Sequence, residues 1–150
     1  TNKSKDILEK IGYSPLESVE FNQKTLDLVV NGKYKNTHGK GYKSFFNSVL
    51  ALSLMKHISE FSSHNPGFYI YDSPLKGLKE ADDIEKAERI RVGYFDYITK
   101  LKTDNQIILI ENTEKGELPT IDSNDNIKIY KFTQIENQGR YGFLLGVKRK

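Results

Sequence analysis

Two uninterrupted apolar runs, each closed by a carboxylate, constrain this chain more than any other feature: "FYIYD", Phe68 to Asp72, and "QIILIE", Gln106 to Glu111. Between them Ile84, Ala87, Ile90, Tyr94, Tyr97, Ile98 and Leu101 recur at helical spacing, after Asp82 or Asp83, either of which suits an N-cap. Strand, helix, strand is a βαβ unit. Runs without polar alternation indicate strands of a parallel sheet covered on both faces, so the expected fold class is α/β. Asp82 with Lys86 and Glu85 with Arg89 are spaced to solvate the outer face of the helix.

Earlier in the chain the period changes. Val19 with Phe21, then Leu26, Leu28 and Val30, alternate with polar residues around a polar turn, which predicts a β-hairpin. From Tyr42 to about Ser62, Phe45, Val49 and Leu52 lie on one side of a helix and Phe46, Leu50, Leu54, Ile58 and Phe61 on another. A helix so apolar on two faces is expected to be buried. A short helix over Asp6 to Ile11 is cut off by Gly12 and Pro15, and the tail offers two more strands, "IKIYKFT" and "GRYGFLLGV", around a turn containing Gly139. The basic Lys148, Arg149 and Lys150 then read as a frayed end.

At 150 residues with 37% hydrophobic content, one domain with a real core is expected. Zero cysteines exclude disulfides, thiolate metal sites and cysteine nucleophiles, which suits a reducing, cytoplasmic setting. No apolar run approaches the roughly 20 residues needed to cross a bilayer, so no membrane association is expected. The formal net charge of +3 permits a nucleic-acid partner without establishing one. His38, His57 and His64 share no ligand spacing, and Phe45, Phe46, Tyr94, Phe95 and Tyr97 fall at helical positions that favour packing over base stacking. A self-contained hydrolase is disfavoured, because the chain has no G-x-S-x-G elbow and no H-E-x-x-H.

The stretch "HGKGYKS", His38 to Ser44, feeds the long helix and invites comparison with a phosphate-binding loop. It does not fit G-x-x-x-x-G-K-[ST]: Gly39 and Lys40 supply the central pair, but Tyr34 stands at the first glycine and Gly41 at the hydroxyl position. What is left is a Gly-Lys-Gly loop at a helix start, where free N–H groups and the positive dipole end face an anion. The competing reading is a solvated basic turn whose glycines serve only a positive φ. Asp72, closing an apolar strand, occupies the kind of place where P-loop enzymes hold magnesium; its own competing reading is a turn-starting aspartate before Ser-Pro.

The order "GKGYKSFFNSVLALSLM", "FYIYDSPLKGL", "IILIENT", "YGFLLG", spanning roughly Leu26 to Val147, resembles the C-terminal half of ABC-type heads in SMC-like and double-strand-break-repair ATPases. The resemblance implies a P-loop head lobe with a parallel or mixed sheet flanked by helices. It implies that Gly39, Lys40 and Gly41 belong to the signature loop, with Ser44 capping or lining the helix start. It implies that Asp72 is the Walker B aspartate and Mg2+ ligand, and that Ser73 to Leu78 form the D-loop. ATP and Mg2+ are the implied cofactors. The implied partners are an upstream Walker A half, reached through a coiled coil ending in residues 1–12, a second head joined through nucleotide, and DNA. Where the family places a general-base glutamate after the aspartate, this chain has Ser73; Glu111, at the usual place of a switch histidine, is the better substitute and Glu80 the weaker. Slow hydrolysis, with binding as the working signal, is one consequence. The alternative is an α/β nucleic-acid-binding or scaffold module without nucleotide chemistry.

Overall fold

The spacing of Ile7, Leu8 and Ile11 puts three fully buried side chains on one stripe of a helix, and that stripe closes the core. The computed structural model describes residues 2–39, 41–112, 126–133 and 140–141. Helix α1 (Asn2–Ile11) packs on both α2 (Tyr42–Phe61) and α3 (Ile84–Lys100). Phe45, Phe46, Val49 and Leu52 of α2 and Ile90 and Tyr94 of α3 are buried between them, the rings of Phe45 and Tyr94 meeting edge to face at 6.3 Å. Each such side chain contributes about 1.5–3 kcal/mol over leaving it exposed. Where α1 ends, Gly93 lets the backbones touch, since a Cβ there would lie 1.9 Å from the Ile11 carbonyl oxygen.

The predicted hairpin forms, β1 (Val19–Asn22) against β2 (Asp27–Val30), and a third strand, β3 (Lys33–Tyr34), extends it to an antiparallel sheet. Asn31 and Gly32, with φ of 50° and 70°, make the two-residue turn between β2 and β3. The Asn31 carboxamide oxygen accepts the N–H groups of Glu17 (2.8 Å) and Ser18 (3.2 Å), and its NH2 donates to the Pro15 carbonyl (2.9 Å). One side chain thus ties the turn to the segment entering β1. Lys35, just after β3, pairs with Asp27 (2.5 Å) and donates to Asn47 of α2 (2.7 Å), which fixes the sheet beside the start of that helix.

The βαβ unit is present. β4 (Phe68–Asp72) and β5 (Gln106–Ile110) pair in parallel, Phe68 opposite Gln106 and Asp72 opposite Ile110, with a 3-10 turn (Lys76–Glu80) and α3 between them. Asp83 is the N-cap of α3, accepting the Lys86 N–H at 2.9 Å. The architecture is α/β, a small antiparallel sheet and a parallel pair flanked by helices. Cover on both faces is not what the strands show. Tyr69, Tyr71, Ile107 and Leu109 turn to the core, while Phe68, Ile70, Ile108 and Ile110 are 53%, 57%, 38% and 49% exposed. The second face of α2 is likewise only partly covered, with Leu54 and Phe61 exposed. An apolar run records that both faces favour burial; it does not say that neighbouring elements supply both layers, and the described residues supply one.

The expected pairs Asp82–Lys86 and Glu85–Arg89 do not form among the described residues. Glu88 instead takes Arg91 in a two-pronged bond (2.9 and 2.8 Å), and Asp96 takes Lys100 (2.6 Å). Lys86 turns inward, its ammonium 4.4 Å from the Tyr13 ring centroid, so cation–π attraction replaces the surface pair.

The chain divides into two units, Thr1–Thr120 and Ile121–Lys150. All the candidate site residues lie in the first. In the second, β6 (Phe132–Thr133) and β7 (Arg140–Tyr141) pair in parallel, and the Arg140 guanidinium lies 5.5 Å from the Phe132 ring centroid. Over "IKIYKFT" only Phe132 and Thr133 are in strand, fewer residues than the pattern predicts. The turn at Gly139, the stretch 142–147 and the basic end Lys148 to Lys150 lie outside them.

Candidate functional site

The tips of β4 and β5 bring three of the predicted residues together. Asp72 is exposed at the end of its strand, and its Oδ1 accepts the Ser73 hydroxyl at 2.8 Å. Ser73 has a φ of 52°, left-handed backbone uncommon for a residue with a side chain, and its N–H reaches across to the Ile110 carbonyl at 2.7 Å. The strand therefore stops and turns at Asp72. Such strain persists only where surrounding bonds over-determine it, and here the bond to Ile110 does so.

Glu111 follows β5 directly. Its Oε2 accepts the Leu75 N–H at 3.0 Å and its Oε1 the Asn112 N–H at 3.1 Å, so one half-buried carboxylate binds the loop after Asp72 to the tip of the neighbouring strand. Burial pushes the Glu111 carboxyl above the usual glutamate range, against the opposing pull of those two N–H groups and of Lys79. Behind it the Tyr94 hydroxyl is buried with no hydrogen-bond partner among the described residues; the neighbouring Ser48 hydroxyl is turned instead to the Phe45 carbonyl at 3.0 Å.

The glycine loop sits against this same loop. Gly41, with φ 99°, is the N-cap of α2, and a Cβ placed on it would fall 1.9 Å from the Gly77 carbonyl oxygen. Two glycines are needed there because two backbones are in contact. No side chain caps α2: Ser44 is half-buried inside the first turn and does not perform the capping role expected of it, since the cap position is occupied by Gly41, which has no side chain. Gly39, with φ 89°, lines a cleft of about 340 Å³ shared with Tyr13, Lys33, His38, Tyr42 and Lys86. The His38 ring lies between the Lys33 carbonyl (3.2 Å) and the Tyr13 hydroxyl (3.5 Å), and burial holds it below its ordinary pKa. Burial likewise lowers Lys86. Lys40 lies outside the described residues.

As a Mg2+ ligand Asp72 meets the simplest requirement, being an exposed carboxylate whose Oδ2 has no hydrogen-bond or ion-pair partner among the described residues. No group of three or more His, Asp or Glu side chains is gathered as a metal cage among the described residues. An ion at Asp72 would complete its shell with phosphate oxygens and water, as magnesium does in nucleotide sites. Leu75 and Gly77, backbone anchors of the post-Asp72 loop, fall within the segment the resemblance implies as D-loop but were not singled out by sequence reasoning. Their only signal was the glycine in "SPLKGL", whose partner lies far away in the chain. Among the described residues no helix is long and apolar enough to cross a membrane. Compared with protein-family models, curated proteins and solved structures, the chain matches none.

Proposed function

We propose that the chain is the C-terminal half of an ABC-type ATPase head of the SMC-like and double-strand-break-repair class. In it Asp72 holds Mg2+, Gly39, Lys40 and Gly41 form the signature loop that faces ATP, and Ser73 to Leu78 form the D-loop. The observation that carries this reading is the parallel register that sets exposed Asp72 opposite Ile110, one residue before Glu111, at the carboxyl ends of adjacent strands. Ligands of open α/β sheets bind at those ends. The apolar face formed by Phe68, Ile70, Ile108 and Ile110 supports it, as the surface on which the remaining layers of such a head would pack. No G-x-x-x-x-G-K-[ST] loop occurs in the sequence, so the Walker A half must come from other residues.

A magnesium ion held by Asp72 would supply positive charge to the phosphate groups of a bound nucleotide. The chain's own groups then position rather than transfer protons: the Ser73 hydroxyl donates to Asp72, and Glu111 is engaged by two backbone N–H groups. Binding with slow turnover, acting as a switch that joins two heads on DNA, fits this set better than rapid hydrolysis. The second reading, a scaffold or nucleic-acid module without nucleotide chemistry, is favoured by the same serine in the general-base position. Equilibrium binding of Mg-ATP to the full-length protein, wild type against Asp72→Asn, separates them. Tight, magnesium-dependent binding weakened by the substitution supports the ATPase reading; no binding by either protein supports the module.

A further inference from the structure

We infer that Glu111 is a positioning residue: by holding the loop after Asp72 it sets the backbone of the glycine loop from which α2 starts. The connection is continuous. Glu111 accepts the Leu75 N–H at 3.0 Å; Leu75 in turn accepts the Leu78 N–H at 3.0 Å; and the backbone of Gly77, between them, lies against Gly41. A Cβ on Gly77 would sit 2.7 Å from the Gly41 Cα, so the two backbones are in direct contact and a shift of one toward the other must displace it. Gly41 is the N-cap of α2, and its carbonyl is the acceptor for the Phe45 N–H under the i to i−4 rule. A shift at the tip of β5 thereby reaches the first hydrogen bonds of α2.

The carboxylate is not needed to keep the loop folded. The Leu75 and Leu78 side chains are buried and anchor it independently, so loss of the Glu111 bonds loosens geometry without releasing the segment. Nor is a half-buried carboxylate an economical way to cap two N–H groups, since its desolvation opposes what the bonds contribute. Its placement makes sense as a hinge that holds one loop against another. That this sets the loop for a bound phosphate rests on the function proposed above; the coupling itself does not.

Hydrogen exchange of single amides in the full-length protein, without nucleotide, tests it. In Glu111→Ala, exchange at Leu75 and at Phe45 and Phe46 is expected to rise roughly tenfold or more, the size of one lost charge-assisted bond, while Ile90 and Tyr94 in α3 stay at wild-type rates. In Glu111→Gln, whose amide oxygen can still accept from Leu75, all these rates should stay within about threefold. Gly77→Ala should reproduce the rise at Phe45 and Phe46. A rise at Leu75 with Phe45 and Phe46 unchanged overturns the coupling, and an unchanged Leu75 overturns the hold itself. Should Glu111→Ala also raise Ile90 and Tyr94, the shorter Glu111→Asp decides. It must loosen Leu75, Phe45 and Phe46 alone, and any other pattern overturns the inference. Because no nucleotide is present, failure of the ATPase reading leaves this result intact, and the reverse.

Discussion

Gly41 and Gly77 touch through bare backbone, with the Gly77 carbonyl oxygen 1.9 Å from where a Gly41 Cβ would be. Gly41 also has φ 99°, so alanine there meets both a clash and a strained conformation. Gly41→Ala should destabilise the fold by about 3 kcal/mol or more, read from the urea midpoint. Gly67→Ala, at φ 75° with open space around its Cβ position, should cost about 1–2 kcal/mol from conformation alone. Equal effects at the two positions would mean that the contact with Gly77 is not close.

Glu111 gives a pH dependence of definite sign. Burial raises its folded-state pKa above the unfolded value, so the folded protein takes up the proton first as pH falls. Its contribution is therefore most favourable below the unfolded value of 4.5 and is lost as pH rises through the raised folded value. The stability of wild type relative to Glu111→Gln should fall as pH climbs from about 4 toward neutrality. Among the described residues Lys79, Asp72 and Tyr94 are the charged or titratable groups acting on this carboxylate or near it, and all three are present in both proteins. The opposite slope would mean that the bonds from Leu75 and Asn112 outweigh burial.

Tyr94 carries a buried hydroxyl with no partner among the described residues. Removing an unsatisfied buried polar atom while keeping the ring should be neutral or stabilising, by up to about 1 kcal/mol, so Tyr94→Phe is expected to hold or raise the melting temperature. A loss of more than about 1 kcal/mol would reveal a hydrogen bond to that hydroxyl.

The exposed face of the parallel pair separates stability from assembly. Ile70→Asp, on a side chain 57% exposed, should change the stability of this unit by no more than about 0.5 kcal/mol, whereas Leu52→Ala in the core should cost about 2–5 kcal/mol. In the proposed complete head, where further layers would cover this face, Ile70→Asp should be far more damaging. Denaturation of both forms, with and without the substitution, makes the comparison.

Much of this was legible in the sequence, for local reasons. The runs Phe68–Asp72 and Gln106–Ile110 and the spacing of Ile84, Ala87, Ile90 and Tyr94 gave the βαβ unit, because period and length are properties of neighbouring residues. Strand β3 is also signalled, by Asn31-Gly32 between Val30 and Lys33, a pair suited to a two-residue hairpin turn, although the predicted hairpin ends at Val30. Hidden from any local rule were the contacts between distant positions. The apolar runs overstated burial because periodicity registers demand for cover and not its supply. Gly41 against Gly77, and Glu111 with Leu75, join segments whose partnership only the fold reveals. For the same reason Asp72, Ser73 and Glu111 were recognisable as candidates one at a time, while the engagement of Ser73 by Asp72 and of Glu111 by backbone N–H groups was not.

The most direct test of the central claim, that Asp72 closes its strand at a magnesium-nucleotide site, is the turnover of Mg-ATP by the full-length protein, wild type against Asp72→Asn. The account predicts slow, magnesium-dependent hydrolysis that falls by roughly a hundredfold or more when the carboxylate becomes an amide, the scale of losing one electrostatic contact to the transition state. Equal turnover by the two proteins would contradict it.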